Sequence, residues 1–125
     1  AADLLRATTG APGGYAMWSG ADEVNLPLLS VGAVGVVSVA SHLVGPELAA
    51  MIAAFPTDPA RARQLHLTCL PIHRALFREP SPAPLKGALA RLGLPSGPVR
   101  PPLVDASHDA VEGVLVALRP VQEQR

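Results

Sequence analysis

Residues 26–45 of this 125-residue chain, LPLLSVGAVGVVSVASHLVG, decide its fold. No Asp, Glu, Lys or Arg occurs between Glu23 and Glu47, so we expect the deepest burial here. The stretch divides at its glycines: a short helix stops at Gly32, and a strand covers residues 35–39. Both faces of that strand are apolar, which is typical of a parallel sheet covered by helices. The stretch therefore predicts the core strand of an α/β protein.

The same stretch is long enough to cross a bilayer, which needs about 20 apolar residues. However, it contains a proline, several glycines and three serines, and only acidic residues flank it. A spanning helix is normally oriented by Lys and Arg residues beside it. We therefore favour the buried strand and predict no contact with a membrane.

The composition limits the classes of partner. The formal net charge is zero, and the basic residues are scattered, so no stripe of Lys and Arg is present to bind nucleic acid. The single cysteine, Cys69, excludes an internal disulfide and predicts a cytoplasmic location. The chain opens on AADLLRA, without Met or a signal peptide, and we expect it to lie inside a longer protein.

The first half of the chain predicts the order strand, helix, strand. Residues 15–18 (YAMW) form a very short strand that ends abruptly at Ser19 and Gly20. Asp22 and Glu23 then place acids in the first turn of the next helix, where they complement the helix dipole.

Helices dominate the rest of the chain. After a loop at Ser41 and His42, the sequence predicts helices from Gly45-Pro46 to Phe55, from an Asp58 cap to Leu76 with a kink at Pro71, from a Ser81 cap to Leu92 before Gly93, and from Asp105 or Ser107 to Pro120. Two short parallel strands leave both of their edges unpaired and need helices on both faces. We therefore expect this chain to be the closing end of a larger barrel or sheet, followed by a helical appendix.

Two runs carry a resemblance to a known family. WSGADEVNLPLLSVGAVGVVSVASHLVG (residues 18–45) and LPIHRALFREPSPAPLK (residues 70–86) resemble the C-terminal part of the dihydrodipicolinate synthase family of pyruvate-dependent class I aldolases. The resemblance implies a (β/α)8 TIM barrel whose strands 7 and 8 are residues 15–18 and 35–39. It divides this mostly helical chain into the end of the barrel (1–55) and a C-terminal helical domain (56–125).

The resemblance also implies an activity and site residues. The family's lyase condenses pyruvate with L-aspartate 4-semialdehyde in lysine and diaminopimelate synthesis. Gly20 matches a glycine beside bound pyruvate, Val37 matches a wall of the same pocket, and Asp22 matches one of a pair of acids near the entry of the second substrate. Ala21 replaces the other acid of that pair, and Ser81 replaces the family's usual Asn.

The family's catalytic lysine, which forms a Schiff base with pyruvate, corresponds to a position upstream of residue 1. The resemblance thus implies no catalytic residue within this chain, no cofactor, no metal, and a cytoplasmic homotetramer as the full-length protein. The chain alone is predicted to be inactive. A sister enzyme such as N-acetylneuraminate lyase, and a truncated non-catalytic product, remain the alternatives.

His66, Cys69 and His73 have spacings of three and four, which place them on one face of a helix and would suit a metal site. Pro71 would distort that turn, and no fourth ligand is suggested. We favour a helix surface that carries a buried cysteine.

Overall fold

The computed structural model describes Asp3 and residues 15–124. The elements are β1 (Trp18–Ser19), a 3₁₀ turn (Asp22–Val24), α1 (Asn25–Ser30), β2 (Gly35–Val36), α2 (Ser41–Ala54), α3 (Pro59–Leu76), α4 (Ala83–Arg91) and α5 (His108–Gln122). The first part of the predicted barrel segment, residues 1, 2 and 4–14, lies outside the described residues. The predicted order of strand, helix, strand and then helices is confirmed.

The two strands pair in parallel, with Trp18 opposite Gly35 and Ser19 opposite Val36. The turn and α1 connect them, so these elements form one crossover unit. Glycine at position 35 allows the Trp18 ring to lie close, because a Cβ there would be 3.0 Å from Trp18 Cδ1. The predicted stop of α1 is also confirmed, since Gly32 has a φ of 104° that favours glycine.

The strands are shorter than the predicted ranges 15–18 and 35–39, and those bounds are wrong. In the last backbone hydrogen bond between the two strands, Val37 N donates to Ser19 O at 2.7 Å. Beyond it, the backbone N–H groups of Val39 and Ala40 donate to the Asp22 carboxylate instead of to a neighbouring strand. The chain thus leaves the sheet where the Asp22 carboxylate, instead of a neighbouring strand, accepts its backbone hydrogen bonds.

The core lies among the helices rather than around the sheet. Helix α3 packs against both α2 and α5. The centre of the core consists of apolar side chains with almost no exposure, including Met51, Ile72, Leu76, Val114 and Leu118. By contrast, Val34 and Val37, which flank β2, are 56% and 71% exposed, so the prediction that the strand over residues 35–39 is buried on both faces is wrong.

Helix α2 begins at Ser41, four residues before the predicted start at Gly45. His42 is therefore an exposed residue of the first helical turn, not of a loop. The backbone angles of Val44 are non-helical, which separates this first turn from the rest of α2. The break lies before Pro46, which cannot donate a helical hydrogen bond, so the predicted helix is preserved beyond it.

Three predictions at the ends of the later helices are confirmed. Asp58 caps α3 by accepting from Arg61 N at 2.9 Å, and Ser107 caps α5 by accepting from Ala110 N at 3.2 Å. Gly93 follows α4 with a left-handed φ of 75°. Ser107, the cap of α5, is itself held by Glu79, whose carboxylate accepts hydrogen bonds from the hydroxyl and the N–H of Ser107. These hydrogen bonds lower the pKa of Glu79.

Three other predictions at prolines and caps are wrong. Helix α3 has no residue with non-helical angles at Pro71, and α5 continues through Pro120 to Gln122. Each proline is exposed, so water can satisfy the carbonyl that loses its helical donor. Ser81 is not the cap of α4, because Pro82 occupies that position.

Replacement of Gly87 by alanine is expected to destabilise the chain by about 1–3 kcal/mol. A Cβ at Gly87 would overlap Cγ2 of Val111 where α4 crosses α5, and this branched side chain cannot swing aside. Gly45→Ala is the matched control, because its Cβ would have no neighbour within 4 Å. Denaturant unfolding of both variants measures the difference, and equal stability would show that the crossing tolerates a methyl group.

Candidate functional site

The two predicted pocket residues Gly20 and Val37 lie side by side at the carboxyl ends of the paired strands. Ser19, which precedes Gly20, accepts a hydrogen bond from Val37 N, so the two loops leave the sheet together. The Ser19 hydroxyl also donates to the Ala21 carbonyl at 3.2 Å, which tightens the turn around Gly20. The carboxyl ends of parallel strands are where α/β proteins bind their ligands.

Gly20 and Val37 both face open space within the described part of the chain. A Cβ at Gly20 would have no neighbour within 4 Å, and Val37 is among the most exposed apolar residues. Their predicted roles in substrate binding stay predictions.

Asp22 joins the two loops through its carboxylate, and its side chain is almost fully buried. Oδ2 accepts from Val39 N at 3.1 Å and from Ala40 N at 3.0 Å, at the entry to α2. Oδ1 accepts from Asn25 Nδ2 at 3.2 Å. We call these contacts the Asp22 bridge: they fix the loop after β1 to the loop after β2.

The bridge gives Asp22 a role that the sequence analysis missed. Its contact with a second substrate stays a prediction, but both carboxylate oxygens already accept hydrogen bonds from protein donors. The D-E-V-N spacing of Asp22 and Asn25 could have indicated the local hydrogen bond, because residues three apart meet on a helical turn. The contacts with Val39 and Ala40, seventeen and eighteen residues away, have no such local signal.

A cavity of about 350 Å³ opens beside the loop after β1 and reaches helix α3. Its lining consists of Gly20, Ala21, Asp22, Glu23, His73, Arg74 and Phe77. Arg74 Nε donates to Glu23 Oε1 at 2.7 Å, and both residues line the cavity. Both side chains of this ion pair are more than half exposed, so it adds little stability.

Two histidines of α3 lie buried beneath this loop. His66 and His73 are 7% and 1% exposed, and their ring centroids are 6.1 Å apart. Burial lowers the pKa of both rings, so both are neutral near pH 7. The expectation of a helix surface with a buried cysteine is therefore wrong for these two histidines, although Cys69 is buried as predicted.

The remaining polar groups do not assemble a metal or imine site in this part of the chain. Among the described residues, no group of three or more His, Cys, Asp or Glu side chains could hold a metal ion. Lys86 lies on α4, where its Nζ donates to the Pro98 carbonyl at 2.7 Å. It lines another hollow of about 440 Å³, together with Asp105 and residues of the proline-rich crossing.

Across the described range, every helix is either too short or too polar to span a bilayer.

Comparison with known proteins gives one consistent result. Residues 3–120 match the dihydrodipicolinate synthetase family. The chain is 48% identical over 114 residues to the 4-hydroxy-tetrahydrodipicolinate synthase of Symbiobacterium thermophilum, and 52% identical over 99 residues to that of Synechococcus elongatus. These alignments cover 90% and 78% of this chain but only 38% and 33% of the relatives.

Solved structures agree with the sequence matches. The crystal structure of the synthase from Cyanidioschyzon merolae with lysine bound superposes with a TM-score of 0.88 at 39% identity. The superposition covers 95% of this chain and 41% of the solved one. The chain thus spans about two fifths of the length of the proteins that it matches.

Proposed function

Because residues 3–120 match throughout, the chain belongs to the dihydrodipicolinate synthetase family, and we propose that it is the C-terminal part of a 4-hydroxy-tetrahydrodipicolinate synthase. The complete enzyme is a lyase that condenses pyruvate with L-aspartate 4-semialdehyde. The observation that carries the proposal is near-complete coverage of this chain at 48% identity, against 38% coverage of the relative. The named relatives favour the synthase over N-acetylneuraminate lyase.

We propose that β1 and β2 are strands 7 and 8 of a (β/α)8 barrel, and that residues 56–125 form the C-terminal helical domain. The parallel pairing of the two strands and the crossover between them support this arrangement. The exposed apolar side chains of the sheet region support it further: Tyr15, Trp18, Val34 and Val37 are each more than half exposed. Six preceding strands would cover these side chains and pair with the open edges.

In the proposed reaction, a lysine upstream of this chain attacks the pyruvate carbonyl and forms an imine with loss of water. The imine withdraws electrons, so the pyruvate methyl group loses a proton and attacks the aldehyde carbonyl. Gly20 would leave room for the substrate beside the backbone, and Val37 would form an apolar wall. Asp22 would act near the entry of the second substrate through the loop that it fixes.

The proposed enzyme needs no cofactor and no metal ion. We propose a cytoplasmic homotetramer as its assembled form. A full-length protein that elutes as a stable monomer would contradict the tetramer without affecting the proposed reaction. This chain alone is proposed to be inactive, since it carries the wall of the pocket but not the nucleophile.

The test is an assay of the complete polypeptide with pyruvate and aspartate semialdehyde, with N-acetylneuraminate cleavage as the competing activity. We expect condensation, and we expect Gly20→Val to lower kcat/KM by at least about 100-fold, because the added isopropyl group displaces the reacting atoms. The melting temperature should change far less, since no atom of residues 15–124, apart from the two chain neighbours, lies within 4 Å of a Cβ at Gly20. Cleavage without condensation would assign the sister lyase, and full activity of Gly20→Val would remove Gly20 from the pocket.

A further inference from the structure

The buried rings of His66 and His73 face the turn that carries Asp22 and Glu23. Nδ1 of His66 and both ring nitrogens of His73 are buried without a hydrogen-bond partner in the described structure. A neutral imidazole leaves one donor and one acceptor unsatisfied, at a cost of about 1–3 kcal/mol for each group. A buried imidazolium would leave two donors and a charge unsatisfied, which costs considerably more. The packing therefore accommodates only the neutral rings.

The contacts between this turn and α3 depend on the same rings. The 3₁₀ turn packs on α3, and burial lowers the pKa of His66, an effect that the backbone and the charge of Glu23 partly offset. The other link, between Arg74 and Glu23, is exposed and weak. The contact between α3 and the loop after β1 thus keeps both histidine rings buried.

Burial lowers the pKa of His73 and has a larger effect than the carboxylates of Asp22 and Glu23, which raise it. The charged and titratable groups that act on this ring are Asp22, His66 and Glu23. Both oxygens of Asp22 accept hydrogen bonds in the Asp22 bridge, and Glu23 is paired with Arg74. If both rings were protonated, two positive charges would lie with their centroids 6.1 Å apart. Opening of the loop relieves this strain by giving the rings access to water.

We propose that His66 and His73 form a proton-sensitive latch, which holds the loop after β1 on α3 while both rings are neutral and releases it when they are protonated. This inference goes beyond the proposed function, since it concerns regulation of the loop that carries Gly20 rather than the reaction. The cavity beside His73 provides a path by which water reaches the ring during opening.

The sign of the pH dependence follows from burial. Because burial lowers the pKa of both histidines, the docked loop binds fewer protons than the open loop. Docking is therefore complete above the ordinary histidine pKa of about 6.5 and weakens as the pH falls below it. Ordinary carboxylates stay ionised down to about pH 5, so the histidines can be observed separately between pH 7.5 and 5.5.

The experiment is amide hydrogen exchange of the complete polypeptide at pH 7.5 and 5.5, corrected for the intrinsic effect of pH on exchange. Protection of the Val39 and Ala40 amides, which donate to Asp22, reports docking of the loop. We expect this protection to fall at pH 5.5, by up to about tenfold for each histidine that must lose its proton on docking, because this pH lies one unit below the ordinary histidine pKa of about 6.5.

Three variants make the result specific. His73→Gln and the double variant H66F/H73F should abolish most of the pH effect, because they remove the protonated group. His42→Gln should retain the effect, since His42 is exposed on α2. Equal protection at both pH values, or the same loss in both His73 variants as in the natural chain, would overturn the proposal. A His73 pKa at or above 6.5, measured by NMR titration of the ring, would also overturn it.

Discussion

Asp22→Ala is expected to lower the free energy of unfolding by about 3–5 kcal/mol, because it removes three hydrogen bonds to a buried carboxylate. The N–H groups of Val39 and Ala40 would lose their acceptor at the entry to α2, and Asn25, which is fully buried, would lose its partner. Most surface substitutions change stability by less than about 0.5 kcal/mol, so this effect would stand out clearly.

Two further variants separate the bridge from loss of charge. Asp22→Asn keeps the size of the side chain but replaces one acceptor oxygen by a donor, so it should recover only part of the loss. Asp109→Ala removes an almost fully exposed acid and should cost about 1 kcal/mol or less. Urea unfolding, with exchange of the Val39 and Ala40 amides as a local readout, measures all three. If the Asp22→Ala variant were as stable as the Asp109→Ala variant, this result would contradict the structural role of the Asp22 bridge.

Sequence patterns predicted the elements well where local chemistry decides them. The caps at Asp58 and Ser107 and the stops at Gly32 and Gly93 depend on one side chain or one backbone angle each, and all four are confirmed. The order strand, helix, strand also follows from local periodicity. The predicted boundary between the end of the barrel (1–55) and the C-terminal helical domain (56–125) stays a prediction.

Features that depend on distant residues were not predictable in this way. The strand β2 is shorter than predicted because Asp22 accepts hydrogen bonds from two N–H groups, seventeen and eighteen residues further along the chain, that would otherwise be free to pair with a strand. Exposure of Val34 and Val37 depends on strands that an isolated segment cannot supply. The prolines at positions 71 and 120 are tolerated because both are exposed, which the sequence alone does not reveal.

The candidate site likewise contains some features that the sequence predicts and others that it does not. The resemblance assigned Gly20 and Val37 to one pocket, and the hydrogen bond from Val37 N to Ser19 O brings their loops together. The burial of His66 and His73 escaped prediction, because a histidine on a helix carries no sequence signal that distinguishes a buried ring from an exposed one. Only the packing of the 3₁₀ turn on α3 shows it.

Lys86 is the only lysine in the chain and therefore the only side chain here that could form the imine. An imine-forming lysine must be desolvated in an apolar pocket or placed beside another cation. Lys86 instead donates to the Pro98 carbonyl, and a carboxylate, Asp105, lines the same hollow. It is not among the residues that line the cavity at Gly20. We therefore expect no reaction of Lys86 with pyruvate above that of a denatured control.

The most direct test of the account is to trap the imine with borohydride and locate it by mass spectrometry. The complete polypeptide and the 125-residue chain are each incubated with pyruvate and reduced. We predict one reduced pyruvate adduct per complete polypeptide, on a lysine outside these 125 residues, and no adduct on Lys86 in either sample. A stoichiometric adduct on Lys86, or a complete polypeptide that traps no pyruvate, would contradict the account.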